Sequence, residues 1–212
     1  MTMATQEPAR RTYTTSLRRE QAEQTRQRIL SAARALLTNG TYSSVTMEDI
    51  AREASVAPQT IYAVFGNKLR LAEAMVDAGW PHIPPLIAQM EEAAGLRDPE
   101  EWLRTMARLH RQVFEPCADL IRFTSVSGDP RLTARYARIQ HGRHERVQAL
   151  APILERSGRR RPDLSAEEAV AVAWTMLGPD NYAHLVYDRG WTPDRYEEWV
   201  GQALVDLTLT PA

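Results

Sequence analysis

The sequence predicts an all-α fold, with a small three-helix N-terminal part and a larger helical C-terminal part. Three observations predict it. Apolar residues recur at helical spacing over nearly the whole chain. No stretch alternates apolar and polar residues up to a hairpin turn. Cap residues repeatedly stand ahead of proline or acidic residues, as at Asp98-Pro99-Glu100-Glu101 and Ser165-Ala166-Glu167-Glu168.

The first helix is expected over residues 20–38, where Ile29, Ala32, Ala33, Leu36 and Leu37 follow the i, i+3, i+4, i+7, i+8 rule and Asn39-Gly40 ends the run. Thr46 opens the second, with Asp49 at the reciprocal capping position and Met47, Ile50, Ala51 and Ala54 as its buried stripe. A third, short helix starts at Pro58, where a missing N–H costs nothing, and turns Ala57, Ile61, Val64 and Phe65 inward. A fourth runs from Asn67-Lys68 to about Trp80. Pro81, Pro84 and Pro85 then break the chain, so residues 80–85 mark a boundary or hinge. Beyond it, helices are expected near residues 99–115, 118–127, 130–157, 166–188 and 193–209, with Gly178-Pro179 kinking or interrupting the fourth of these. The expected division is a flexible basic arm over 1–19, a small helical part over 20–80 and a larger helical part over 81–212.

With 212 residues, 43% hydrophobic and 25% charged, the chain suffices for one domain plus a small one. No apolar run approaches the roughly 20 residues of a membrane span, and residues 1–19 lack the apolar centre of a secretory signal, so a cytoplasmic protein with no membrane partner is expected. Cys117 is the only cysteine, which rules out an intrachain disulfide and a Cys-based zinc site within one chain. The net charge of −1 conceals an uneven distribution: residues 1–34 hold seven arginines against three glutamates, a local +4. Arg26 and Arg28 belong to this basic segment, which suits contact with phosphates. Lys68 is the only lysine.

The stretch "ASVAPQTIYAVF", residues 54–65, ends one helix and starts another only about two turns long. Two helices joined by a tight turn, the second short and bearing small polar residues, form the helix-turn-helix geometry, whose second helix enters the major groove. Gln59 and Thr60 would face base edges, Tyr62 would reach a phosphate from the flank, and Lys68 would add its charge to a helix N-terminus that already attracts anions.

These residues carry a resemblance. The segment from Thr25 to Val76, through Thr25-Arg26-Gln27-Arg28-Ile29-Leu30, Thr46 before Ile50-Ala51, and Ile61-Tyr62 followed by Phe65 and Lys68, resembles the DNA-binding domain of the TetR/AcrR family of bacterial transcriptional regulators. The resemblance implies a DNA-binding part over 20–80 and a homodimer whose divergent C-terminal part, over 81–212, serves ligand binding and dimerisation, with the ligand releasing the DNA; two-fold symmetry then calls for a palindromic double-stranded DNA operator, and a repressor is expected. It places Thr46, Tyr62 and Lys68 at backbone-contacting positions and Pro58, Gln59, Thr60 and Ala63 at groove-facing ones. The chain departs from the family pattern at Ser55, where glycine is common, at Ala57, where a capping serine is usual, and at Ala63 and Val64, which stand where a large or basic residue and a histidine are common. Ala57 and Ala63 motivate the alternative of a ligand-binding or adapter protein without specific operator binding.

Enzymatic readings are weaker, and no catalysis, cofactor or metal is expected. His141, His144 and Glu145 could be written as metal ligands, but arginines 138, 143 and 146 around them would repel a cation. Ser125, Ser127 and Asp129 with His110 could be imagined as a hydrolytic set, but no strand-elbow motif places either serine. In the C-terminal part, Met106, His110 and Phe114 share a helix face, and Phe123, Trp174 and Tyr182 are large residues on other helices. Together they are the candidates for a pocket that takes a small apolar or aromatic ligand, with His110 or Tyr182 orienting it. Val170, Trp174, Leu185, Trp199, Leu204 and Leu207 are the candidates for pairing with a second copy as a four-helix bundle.

Overall fold

A computed structural model describes the backbone of residues 9–211 and the side chains of residues 16–211. It is helical throughout, and among the described residues the one extended pairing is an isolated antiparallel bridge between Arg160 and Leu209. Packing divides the chain into two compact units, Met1–Met75 and Val76–Ala212.

The first unit holds α1 (Ala9–Asn39), α2 (Met47–Glu53), α3 (Pro58–Phe65) and most of α4 (Lys68–Ala78). Of the basic arm expected over 1–19, residues 1–8 lie outside the described residues, and from Ala9 onward the backbone is already helical. Ile29, Ala33, Leu37, Ile50, Ala51 and Ile61 make the core of this unit, and α2 packs on both α1 and α3. Each helix contributes one apolar stripe, since residues three and four apart share a face. Two of the expected inward residues of α3 point outward instead. Ala57 and Val64 are exposed, because Ile61 and Phe65 already fill the narrow contact that a two-turn helix makes with its neighbours.

The second unit is built around α6 (Pro99–Phe114), which packs on α5 (Ile83–Ala93), α9 (Leu150–Ser157) and α12 (Pro193–Thr208) and buries Trp102, Leu103, Met106 and Phe114. Around it lie α7 (Ala118–Val126), α8 (Pro130–Val147), α10 (Ala166–Met176) and α11 (Pro179–Tyr182), the last continuing as one wide π turn over Ala183–Asp188. Asp98, Asp129, Ser165 and Thr192 cap the helices they precede, and Ser165 forms a full capping box with Glu168.

Two further boundaries differ from expectation, both at prolines. Pro84 and Pro85 do not end a helix; they occupy the first turn of α5, where no intrahelical partner is lost. Residues 130–157 form two helices, because Pro152 has no N–H to give Gln148 and its ring crowds that carbonyl, so α8 stops at Val147 and α9 begins at Leu150. No described helix is long and apolar enough to cross a membrane.

Candidate nucleic-acid interface and ligand cavity

In the first unit the turn before α3 is built from unusual parts. The Thr46 hydroxyl accepts from the Asp49 amide at 3.0 Å, and the Asp49 carboxylate accepts from the Thr46 amide at 3.0 Å. Hydrogen bonds from Thr46 hold the Asp49 carboxyl down at about 2. Ser55 takes a φ of 53°, the left-handed conformation that glycine adopts without strain. Ala57 is the N-cap of α3 and offers no side-chain cap, and Gly66 closes the helix at a φ of 78°.

This short helix buries Ile61 and Phe65 and leaves Pro58, Gln59, Tyr62, Ala63 and Val64 outward, with Thr60 half-buried. Tyr62 is 44% exposed, and its hydroxyl donates to Glu48 at 3.1 Å, which raises its pKa. Lys68 is half-buried. Its ammonium lies 4.4 Å from the centre of the Tyr42 ring and donates to the Tyr42 carbonyl, and desolvation lowers its pKa. Arg26 lays its guanidinium over the Phe65 ring at 4.8 Å, and Arg28 is exposed. Thr46 is exposed at the start of α2.

The second unit encloses a cavity of about 400 Å³ between α5, α6, α7 and α8. Ile83, Ile87, Met90, Val113, Ile121 and Ile139 give it apolar walls, together with the rings of Trp80 and Phe114. Its polar groups are His110, Arg135, Arg138, Arg143 and Arg146. His110 is 2% exposed; its Nδ1 sits 2.8 Å from the Met106 carbonyl, which fixes the proton there and leaves Nε2 as the acceptor of a neutral ring. Burial pushes its pKa down to about 3, and the charges of Arg143 and Arg146 act in the same direction.

Of the ligand residues expected from the sequence, His110 and Phe114 line this cavity and Met106, Phe123, Trp174 and Tyr182 do not. Met106 and Phe123 are buried. Tyr182 packs edge-on against Tyr196 with ring centres 5.0 Å apart. Trp174 carries the Arg143 guanidinium over its ring at 4.5 Å.

The groups considered for catalysis have local roles. Ser125 and Ser127 donate to the carbonyls of Arg122 and Thr124 within their own helix turn, and Asp129 caps α8. His141 pairs with Glu145 at 3.4 Å, both exposed, and His144 packs edge-on against Trp174. Among the described residues no three His, Cys, Asp or Glu side chains are grouped to hold a metal ion. Of the candidate interface residues, Val170 and Leu204 are buried within this chain, whereas Trp199 and Leu207 are each 42% exposed.

Sequence reasoning missed Trp80 and the arginines of α8 as cavity residues. Positions 135, 138, 139, 142, 143 and 146 repeat at three- and four-residue steps, the signature of one helix face. A face so rich in arginine reads as solvated unless a neighbouring helix is known to cover it.

Comparison with known proteins adds a family. Residues 29–75 match the model for bacterial regulatory proteins of the tetR family. Over 60 residues the chain is 40% identical to the HTH-type transcriptional regulator AlkX of Mycobacterium tuberculosis, a match spanning 24% of this chain and 28% of that protein. NalD, the secondary repressor of the MexAB-OprM multidrug efflux pump in Pseudomonas aeruginosa, has a similar fold, with a TM-score of 0.64 and 21% identity over 90% of this chain and 100% of NalD. So has the transcriptional regulator FadR from Bacillus subtilis, solved in complex with stearoyl-CoA, with a TM-score of 0.59 and 19% identity over 84% of this chain and 97% of that one. The family match falls on the residues that carry α1 into α2, α3 and α4, and this segment is similar to the bacterial regulatory proteins of the tetR family.

Proposed function

We propose that the protein is a cytoplasmic, ligand-responsive repressor that binds a palindromic DNA operator as a homodimer and is released by a small molecule with an apolar body. One observation carries the DNA half: α3 is two turns long, is anchored by Ile61 and Phe65, and turns Gln59, Ala63 and Val64 outward. A major groove about 12 Å wide admits a single helix, and only its first turns approach base edges. Gln59 suits the paired donor and acceptor of adenine, with Pro58, Thr60 and Ala63 close by, and the Val64 methyls suit a thymine methyl. Thr46, Tyr62, Lys68, Arg26 and Arg28 are the phosphate-side group. Lys68 gives one N–H to Tyr42 and keeps two for phosphate oxygens.

The ligand half is supported by the cavity, whose volume of about 400 Å³ lies within the range of small-molecule sites, and by the stearoyl-CoA bound to FadR. Coupling runs along α4, which carries Lys68 at its start and Asp77 in its last turn. Asp77 pairs with the cavity arginine Arg135 at 2.7 Å, and Trp80 just beyond α4 lines the cavity. A ligand that shifts Arg135 or Trp80 therefore acts on the end of the helix that begins beside the DNA-reading residues.

The test is binding to the protein's own upstream DNA at two salt concentrations. Gln59→Ala should relax specificity at one or two base pairs, each worth about 1–3 kcal/mol, while Lys68→Ala should weaken every sequence and lower the salt slope by about one. Equal loss of specificity in both variants would contradict the assignment. A second reading, a small-molecule-binding or adapter protein without specific operator binding, is favoured by the uncapped Ala57 and by Glu48, a carboxylate beside the Tyr62 hydroxyl, where a phosphate would be repelled. It predicts that no complex outlasts the salt at which non-specific binding fades.

A further inference from the structure

The cavity is apolar in its walls but strongly positive on one side. Four arginines of α8 reach it and no carboxylate lines it. One of the four is already neutralised, since Arg135 pairs with Asp77 and lies over the Trp80 ring at 5.5 Å. Among the described residues the other three, Arg138, Arg143 and Arg146, form no ion pair. Arg143 is only 5% exposed. It is held by neutral acceptors alone, the Gln140 amide at 2.9 Å and the Trp174 carbonyl.

Burying a guanidinium without a counter-charge is expensive. That cost is visible in Arg143, where burial pushes the pKa down to about 10 despite the pull of Tyr136 and Asp180, and in Arg146, where burial lowers it despite the pull of Glu91 and Glu145. Two N–H donors at the same cavity have no acceptor, Nε of Arg146 and Nε1 of Trp80, although buried donors in folded proteins nearly always find one. Gly142 stands on the same face of α8, between Arg138 and Arg146, and an added Cβ would meet the Arg146 guanidinium at 3.4 Å. A glycine inside a helix costs about 1 kcal/mol relative to alanine, and here it keeps space open beside the arginines.

We infer that the cavity takes an organic anion: an apolar body against Ile83, Ile87, Met90 and Phe114, and a carboxylate or comparable acid held by Arg138, Arg143, Arg146 and the Trp80 indole. The inference rests on the ligand-responsive reading above and gives that ligand a charge. The anion supplies both missing elements at once, the counter-charge for the arginines and acceptors for the two orphaned donors. Arginine presents a planar fork of donors that a carboxylate matches in two places. His110 stays neutral and contributes no positive charge, so recognition of the acid falls to the arginines and the indole.

The experiment is calorimetric titration of the full-length protein at pH 7.5 with two matched pairs, decanoate against 1-decanol and 4-phenylbutyrate against 4-phenyl-1-butanol. At least one acid should bind about tenfold or more tightly than its alcohol. Arg146→Gln and the exposed Arg138→Gln should each reduce that preference while leaving the alcohol's affinity in place. Alcohols that bind as tightly as the acids would overturn the anion and leave the apolar ligand reading standing. Absence of binding by all four would overturn both. Acids that bind undiminished to both variants would place the charge recognition away from α8 and overturn this assignment.

Discussion

At the scale of single residues, His110 has the environment that most strongly opposes a charge. It is enclosed by α6 and the cavity, gives its one proton to the Met106 carbonyl, and has Arg143 and Arg146 within electrostatic reach. A histidine in the unfolded chain takes up a proton near pH 6.5, whereas the folded one refuses it until about pH 3. Between those values the unfolded state binds more protons, so stability rises with pH. The contribution of His110 is fully present above about pH 6.5 and is lost as pH falls through that window, by up to about 1.4 kcal/mol per pH unit. Urea midpoints at pH 7.5 and 5.5 should therefore differ more for the parent than for His110→Gln. Equal differences would show that the buried ring already accepts a proton in the folded state.

At the scale of elements, α3, the recognition helix of the proposed function, is held under local cost. Ser55 occupies a left-handed position and Ala57 leaves the first amides of α3 without a cap, each worth on the order of 1 kcal/mol. Neither residue faces the core, so neither cost is recovered by packing. Ser55→Gly and Ala57→Ser should each slow hydrogen exchange of the α2 and α3 amides about fivefold in the full-length protein, a change that leaves Gln59 and Lys68 untouched. Unchanged exchange in both variants would show that the turn stores no strain. The signals that made this region legible in the sequence are local: the Thr46 and Asp49 capping box and Pro58 at a first turn. Such signals act within four residues and survive any tertiary context. The cavity was less legible for the opposite reason. Arg138, Arg143 and Arg146 suit a solvated helix face and a buried anion site equally well, and what decides between them is α5, a helix that Pro84 and Pro85 concealed because proline reads as a break unless its place in the first turn is known. Met106 and Phe114 illustrate the same limit: eight residues apart on α6, they share a stripe, but only Phe114 reaches the cavity wall.

At the scale of the whole molecule, the second unit leaves large apolar side chains of α12 partly exposed. Trp199 and Leu207 lie eight residues apart on one side of α12 and are each 42% exposed, and Trp191 packs edge-on against Trp199 with ring centres 5.7 Å apart. Val170 and Leu204, by contrast, are spent on the core of this unit, so an interface between copies would rest on the outer side of α12. A two-fold contact uses the same patch twice, which makes α12 against its own copy the natural pairing, with α10 completing four helices. Two copies related in this way would carry two α3 helices, and the operator of the proposed function would then be an inverted repeat with half-sites one or more helical turns apart. Phosphate contacts then double, and because each neutralised phosphate contributes about −0.9 to the slope of log K against log salt, the dimer's salt dependence should be about twice the monomer's. The double variant Trp199→Glu/Leu207→Glu places carboxylates on both sides of that pairing. It should run as a monomer in light scattering, bind a single half-site as weakly as the parent's own half-site complex, and show about half the parent's salt slope on the full operator. A variant that stays dimeric would move the interface off α12. One that becomes monomeric but keeps the full slope and footprint would show that a single copy covers the operator, and the two-fold reading would fall with it.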